Sequence, residues 1–307
     1  MIVAAFPGQG SQTPGFLAPW LEFDGARERL ERFADAAGVD LVAAGTQWDA
    51  DRIRDTSVAQ PLIVAASILS WQSLTDDERA AFGSVAGHSV GEIAALVAAG
   101  VISDVDGMRL VGERGRAMAK AAAEADTGMS AVIGGKEPDV LEAIADAGLQ
   151  PANFNGGGQI VAAGDMVGLQ SLSENAPRGT RVIALQVAGA FHTRYMASAS
   201  SALQSAVDAI GSVSDPVTDL WTNSDGSVVA DGARALELIV HQVQNPVRWD
   251  LCMAGFADRG ITGLVEFSPA GALVGLAKRG LRGTPSVALT SPDDLAAARD
   301  LLAESAS

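Results

Sequence analysis

The sequence has a single cysteine, Cys252, in 307 residues, so no internal disulfide framework is available. That usage fits a reducing compartment and predicts a cytoplasmic protein. Histidine is nearly as scarce, with three in the chain, and the histidines and the cysteine show no metal-ligand spacing. Cationic residues are outnumbered, 21 Lys and Arg against 37 Asp and Glu, for a formal net charge of −16. A surface of that sign repels nucleic acid and anionic membranes, so neither is an expected partner. No uninterrupted apolar run is long enough to span a bilayer. The N-terminus lacks the basic stretch and long apolar run of a signal peptide and begins with the β-like segment Ile2–Phe6.

What is present is apolar material, 48% of residues, enough for a sizeable core in one large domain or a large domain with a small one. Strand-like and helical stretches alternate. The first strand leads into the turn Pro7-Gly8-Gln9-Gly10-Ser11-Gln12, helical patterns follow at 25–37 and 60–73, and a short strand at 84–86 precedes a helix closed by Gly100. Asp104 reads as the N-cap of a helix reaching about Ala123. This order predicts a mostly parallel sheet with helices on both faces and sites at the carboxyl ends of its strands.

From Gly128 the rhythm becomes β-α-β-β-α-β, with strands near 129–133, 153–154, 160–163 and 181–187 and helices near 138–147 and 166–175. Further helical patterns at 197–210, 233–243 and 270–279 and a strand at 262–267 return to the first rhythm. The expected fold class is therefore α/β, a large domain with a parallel sheet (residues 1–125 and 190–307) carrying an inserted ferredoxin-like small domain (residues 126–189). Gly128 and Gly189 are the expected hinges, and the cleft between the domains is the expected site.

The segment Gly87-His88-Ser89-Val90-Gly91-Glu92 lies between the 84–86 strand and an Ala/Leu-rich helix. G-x-S-x-G at a strand-to-helix turn is a nucleophile elbow. The flanking glycines let backbone and substrate approach closely, and the Val90 N–H lies at a helix N-terminus, where orphan donors favour a developing oxyanion. A serine hydroxyl needs a base. His88 adjoins Ser89 and diverges from it, which suits a structural role. His241 falls in a helical run and reads as a polar helix position. His192 follows the 181–187 strand and the flexible Gly189-Ala190 at the domain junction, which places it ahead of the other two. Cys252, between Leu251 and Met253, reads as a packed thiol. Arg114 reads, from its surroundings alone, as a surface residue of the 104–123 helix, where Arg109 and Glu113 have the spacing of an ion pair.

Several separated segments, in order, resemble those of the malonyl-CoA:acyl carrier protein transacylases, the stand-alone acyltransferases of type II fatty-acid synthesis. They are Phe6-Pro7-Gly8-Gln9-Gly10-Ser11-Gln12, the elbow, Glu113-Arg114-Gly115-Arg116-Ala117-Met118, the run from Asn153 to Gln159, Gly189-Ala190-Phe191-His192 and Asn245-Pro246-Val247-Arg248-Trp249. The resemblance covers almost the whole chain. It implies an α/β-hydrolase-like domain with a ferredoxin-like insert. It implies Ser89 as nucleophile, His192 as general base and acid, and the backbone N–H groups of Gln9 and Val90 as the oxyanion hole. Arg114 would hold the free carboxylate of a malonyl group, Asn155 would contribute to the cleft, and the backbone carbonyl of Gln242 would orient the histidine. Phe191 resembles the residue of malonyl-selective sites. The partners implied are malonyl-CoA and acyl carrier protein. No cofactor or metal is implied, because CoA and phosphopantetheine are parts of substrates.

An acidic carrier protein would need a local basic patch on this acidic chain, for which Arg178 with Arg181, Arg194, or Lys278-Arg279 with Arg282 are the candidates. Two other functions stay open at this point. A serine hydrolase would take an acid between Ser89 and His192 in sequence, such as Asp165. A non-catalytic acyl or carrier-protein binding module would dispense with Ser89 or His192.

Overall fold

The computed structural model describes residues 1–305. The strands are β1 (Ile2–Phe6), β2 (Phe82–Gly87), β3 (Thr127–Gly134), β4 (Gln150–Gly156), β5 (Gln159–Asp165), β6 (Thr180–Ala184), β7 (Asp219–Trp221), β8 (Val228–Val229), β9 (Val247–Arg248), β10 (Gly263–Glu266) and β11 (Ser286–Ala288). They form two sheets.

The larger sheet runs β11-β10-β1-β2-β7-β8. All its pairings are parallel except β7 with β8. β1, Ile-Val-Ala-Ala-Phe, is buried along its whole length, as a central parallel strand covered on both faces must be. Beneath it Phe6 stacks on Phe267 at 5.2 Å, and Trp71 stands edge-on to both rings. Each such buried ring contributes about 1.5–3 kcal/mol. Helix Thr56–Trp71 packs along helix Asp104–Ala122, and this pairing brings Gln60 and Arg114 together. The second helix starts one residue earlier than its sequence signals. Ser103, not Asp104, is the cap, and its hydroxyl accepts from Asp106 N.

The second sheet runs β6-β3-β5-β4-β9. Its first four strands are antiparallel and come from the β-α-β-β-α-β stretch. The fifth, β9, comes from beyond residue 189 and pairs parallel with β4, Asn153 opposite Val247 and Phe154 opposite Arg248. Gly128 is not in a loop: it lies inside β3 opposite Gly164, so a bend there would break the ladder. No helix among the described residues is long and apolar enough to cross a membrane.

Candidate active site

Ser89 ends up where β2 turns into helix Gly91–Ala98, at the carboxyl edge of the larger sheet. Its φ is +53°, a left-handed conformation that costs a non-glycine residue about 1–3 kcal/mol and that surrounding structure must hold in place. The turn is tight on both sides. A Cβ on Gly87 would stand 2.0 Å from the Gly91 carbonyl carbon, and one on Gly91 would stand 2.2 Å from the Phe6 carbonyl oxygen. His88 N donates to that same Phe6 oxygen at 2.9 Å, so the elbow is fastened to β1.

His192 is the histidine that reaches the serine, with Ser89 Oγ 2.7 Å from its Nε2. Its Nδ1–H donates to the backbone carbonyl of Gln242 at 2.9 Å, which fixes the tautomer with Nε2 as acceptor. The next carbonyl, Val243 O, accepts from His192 N at 3.1 Å. His192 also has a left-handed φ, +60°. Burial, then the nearby Arg114 charge, push its pKa down to about 3, against the pull of the Gln242 carbonyl. It is therefore a neutral base at physiological pH. Asp165, the acid that a hydrolase reading would recruit, instead caps a helix by accepting from Gly168 N at 2.8 Å.

Arg114 departs most from its residue-level reading. It is buried, 1% exposed, rather than a surface residue. The expected Arg109–Glu113 pair does not form: Arg109 pairs with Asp106 and Glu113 with Arg116. The inward-facing Arg114 donates through Nη1 to Gln60 Oε1 at 2.7 Å and through Nη2 to Gln242 Oε1 at 2.9 Å and Ser89 Oγ at 3.3 Å. Its Nε–H has no partner among the described residues. Burial lowers its pKa to about 10, opposed by Glu92, so it stays charged. A buried guanidinium held by neutral amides keeps its charge and an unused donor for an incoming anion.

The rest of the cleft, about 160 Å³, is lined by Gln9, Val90, Asn155 and Phe191 with His88 and apolar side chains including Met129 and Leu185. Among the described residues neither Gln9 N–H nor Val90 N–H has an intramolecular acceptor. His88 does not approach the chemistry as a base. Its Nε2–H donates to Asn155 Oδ1 at 2.9 Å, Asn155 Nδ2 donates to Gln159 Oε1 at 3.0 Å, and desolvation holds the His88 pKa low. His241 is exposed and pairs with Asn245. Cys252 is fully buried, its thiol donates to Thr222 O at 3.3 Å, and burial pushes its pKa well up, so it is a packed thiol.

Three contributors escaped the sequence reading. Gln60 sits in an apolar helical run. Glu92 looks like an ordinary first-turn acid. Asn223 follows the short β7, which has no clear strand signal. Asn223 Oδ1 accepts from Ser89 N at 2.7 Å, and its Nδ2 donates to Gly87 O at 2.8 Å. The only sequence signal available for it was a polar Asn-Ser-Asp-Gly turn.

A serine in a left-handed elbow, a neutral histidine on its Oγ and two unpaired backbone donors lining the same cleft make an arrangement suited to acyl transfer through the serine. Residues 3–297 match the family described as acyl transferase domain, and the chain belongs to that family. It is similar to the malonyl CoA-acyl carrier protein transacylase of Mycolicibacterium smegmatis, 50% identical over 284 residues that cover 91% of this chain and 98% of the relative. The crystal structure of MCAT from Mycobacterium tuberculosis superposes with a TM-score of 0.94 at 48% identity, over 97% of this chain and 99% of that one. A type II PKS acyl-carrier protein in complex with its malonyl-transacylase gives a TM-score of 0.90 at 29% identity, with 97% and 99% covered.

Proposed function

We infer that the protein transfers a malonyl group from malonyl-CoA to the phosphopantetheine thiol of acyl carrier protein, through a malonyl ester of Ser89. The reaction supplies extender units for fatty-acid synthesis. The observation that carries this reading is the buried Arg114 guanidinium, 3.3 Å from Ser89 Oγ and held by two neutral amides. A general esterase has no use for a buried cation that touches its nucleophile and has no carboxylate in contact with it. An acyl group ending in a carboxylate does.

In the first half-reaction His192 Nε2 takes the Ser89 proton as Oγ attacks the thioester carbonyl. The N–H groups of Gln9 and Val90 receive the oxyanion, and the Gln242 carbonyl holds the imidazolium through Nδ1–H. The tetrahedral adduct collapses, the C–S bond breaks, and His192 returns the proton to the departing CoA thiol. In the second half-reaction the carrier thiol gives its proton to the same Nε2 and attacks the ester, and Ser89 leaves with that proton. Arg114 holds the malonyl carboxylate through both halves, Phe191 bounds the space at the acyl carbon, and Asn155 holds His88 at the cleft wall. The exchange runs between comparable thioesters, so this mechanism calls on no metal, nucleotide or redox cofactor. We place the reaction in the cytoplasm, where CoA thioesters circulate.

For the acidic carrier, Lys278, Arg279 and Arg282 are the favoured contact. All are exposed, and Arg279 packs against Gly157 at the tip of the β4–β5 hairpin, two residues beyond Asn155. Intact-protein mass spectrometry after mixing with malonyl-CoA should show one malonyl adduct, which a chase with holo acyl carrier protein discharges onto the carrier. Free malonate as the main product would instead mark a hydrolase, and no adduct would leave a binding module.

A further inference from the structure

Among the described residues two glutamates are fully or nearly fully buried, Glu92 and Glu266. Glu266 is accounted for by its place: it accepts from Gly271 N, Leu273 N and Val274 N at 2.8–2.9 Å and so caps helix Ala272–Gly280. Glu92 caps nothing. It lies within the first turn of its helix and points into the polar layer behind the nucleophile. Its Oε1 accepts from Asn223 N at 2.5 Å, and its Oε2 accepts from Gln242 Nε2. Those two partners are the ones that set the site. Asn223 grips the elbow on both sides of Ser89. Gln242 holds His192 with its backbone oxygen and Arg114 with its side-chain oxygen.

We propose that Glu92 is a positioning residue for malonyl transfer: by accepting from Gln242 and Asn223 it fixes the Gln242 amide with its oxygen toward Arg114, and it keeps the balancing carboxylate one side chain away from the clamp. The argument is one of donors and acceptors. Gln242 offers its oxygen to Arg114 while its NH2 finds acceptors on the other side, and Glu92 is the closer of the two, with Asn223 Oδ1 at 3.5 Å. Both Glu92 oxygens face N–H groups, so an amide at position 92 would set a donor against a donor in either flip. The interposed glutamine also matters. A carboxylate in direct contact with Arg114 would occupy the donors that a substrate carboxylate needs, whereas Glu92 stands one residue removed and leaves them uncovered; burial pushes its pKa up to about 8, and the N–H groups facing both its oxygens, with the Arg114 charge, favour the carboxylate.

This inference rests on the malonyl-transfer reading, and wild-type malonyl loading is the control that tests that reading separately. The experiment measures KM and kcat for serine loading from malonyl-CoA and from acetyl-CoA in wild type, Glu92→Gln, and Glu92→Gln with Gln242→Glu. Glu92→Gln is expected to raise the malonyl KM and lower the malonyl-over-acetyl preference roughly 10- to 100-fold, the loss of a charge-assisted hydrogen bond. The double variant restores complementary donors and acceptors but puts a carboxylate on Arg114. It should recover acetyl loading while its malonyl KM stays high. An unchanged malonyl preference in Glu92→Gln would overturn the proposal. So would equal losses for both substrates with no recovery in the double variant, the pattern of a merely structural residue. Should the single variant fail to fold, a soluble double variant with wild-type malonyl preference would overturn it equally.

Discussion

Arg114 donates a hydrogen bond to the nucleophilic oxygen of Ser89, Nη2 to Oγ at 3.3 Å. On the proposed reading the cation that selects the acyl group touches the atom that receives it, which fixes the reach of an acceptable substrate: its carboxylate has to lie within a few ångströms of its thioester carbon. Arg114→Ala should cost malonyl loading roughly 10- to 100-fold, the range for hydrogen bonds to charged groups. Acetyl loading should fall much less. Arg114→Lys should rescue little, because an ammonium cannot reproduce the planar fork. Loading assays with both CoA esters give the answer, and equal losses would remove the carboxylate-clamp role.

Ser89→Ala should eliminate the acyl-enzyme in intact-protein mass spectra, and a surviving adduct would point to another serine. His192→Ala should slow acylation by orders of magnitude, as in other serine–histidine sites. Near-normal acylation would return the choice to His88 or His241.

The buried state of His192 predicts a pH profile. With the folded pKa near 3 rather than 6.5, the base stays deprotonated through mildly acidic conditions, so malonyl loading should show no inflection near pH 6.5. Stability moves the other way. Below pH 6.5 the unfolded chain takes up a proton at this residue that the folded chain refuses, so this contribution is intact above 6.5 and is lost as pH falls toward 3. Denaturant melts of wild type and His192→Asn between pH 4 and 7 should converge as pH drops. Parallel curves would show that His192 does not titrate as placed.

Phe191 is buried and lines the cleft with His192, so on the proposed reading it bounds the acyl group. Phe191→Ser should admit a branched extender, shifting malonyl-over-methylmalonyl discrimination by about 1–3 kcal/mol, the worth of one methyl in a pocket. Competition between the two CoA esters reads the ratio directly; no shift would make Phe191 a core residue only.

Reversing charge at Lys278, Arg279 and Arg282 together should raise the KM for acyl carrier protein without altering the first half-reaction with malonyl-CoA. The defect should shrink as salt rises, since exposed charges act over about 8 Å at physiological ionic strength. A carrier KM equal to wild type would move the docking surface to Arg178 and Arg181 or to Arg194.

Local signals carried the elbow and both β/α rhythms far. Alternation and turn residues were enough to locate β1 and the strands β3 to β6 to within a few residues, because each has glycine or proline punctuation at or near one end at least. They failed where structure depends on distant contact. β7, β8, β9 and β11 are two or three residues long and exist because neighbours supply the ladder. Arg114 sits among charged residues at helical spacing, and only the packing of two helices decides that it faces inward. Asn223 is 134 residues from the Ser89 N–H it accepts. No window along the chain contains both.

The closeness of Gly87 and Gly91 to backbone atoms has a consequence for anyone redesigning this enzyme. Neither position can accept even an alanine without displacing β1 or the helix start, so the aim of the nucleophile cannot be adjusted by editing its immediate neighbours. A library built across the elbow would spend those codons on misfolded chains. The chemistry at position 89 can be exchanged, for instance Ser89→Cys, while the direction in which it points is inherited from the sheet.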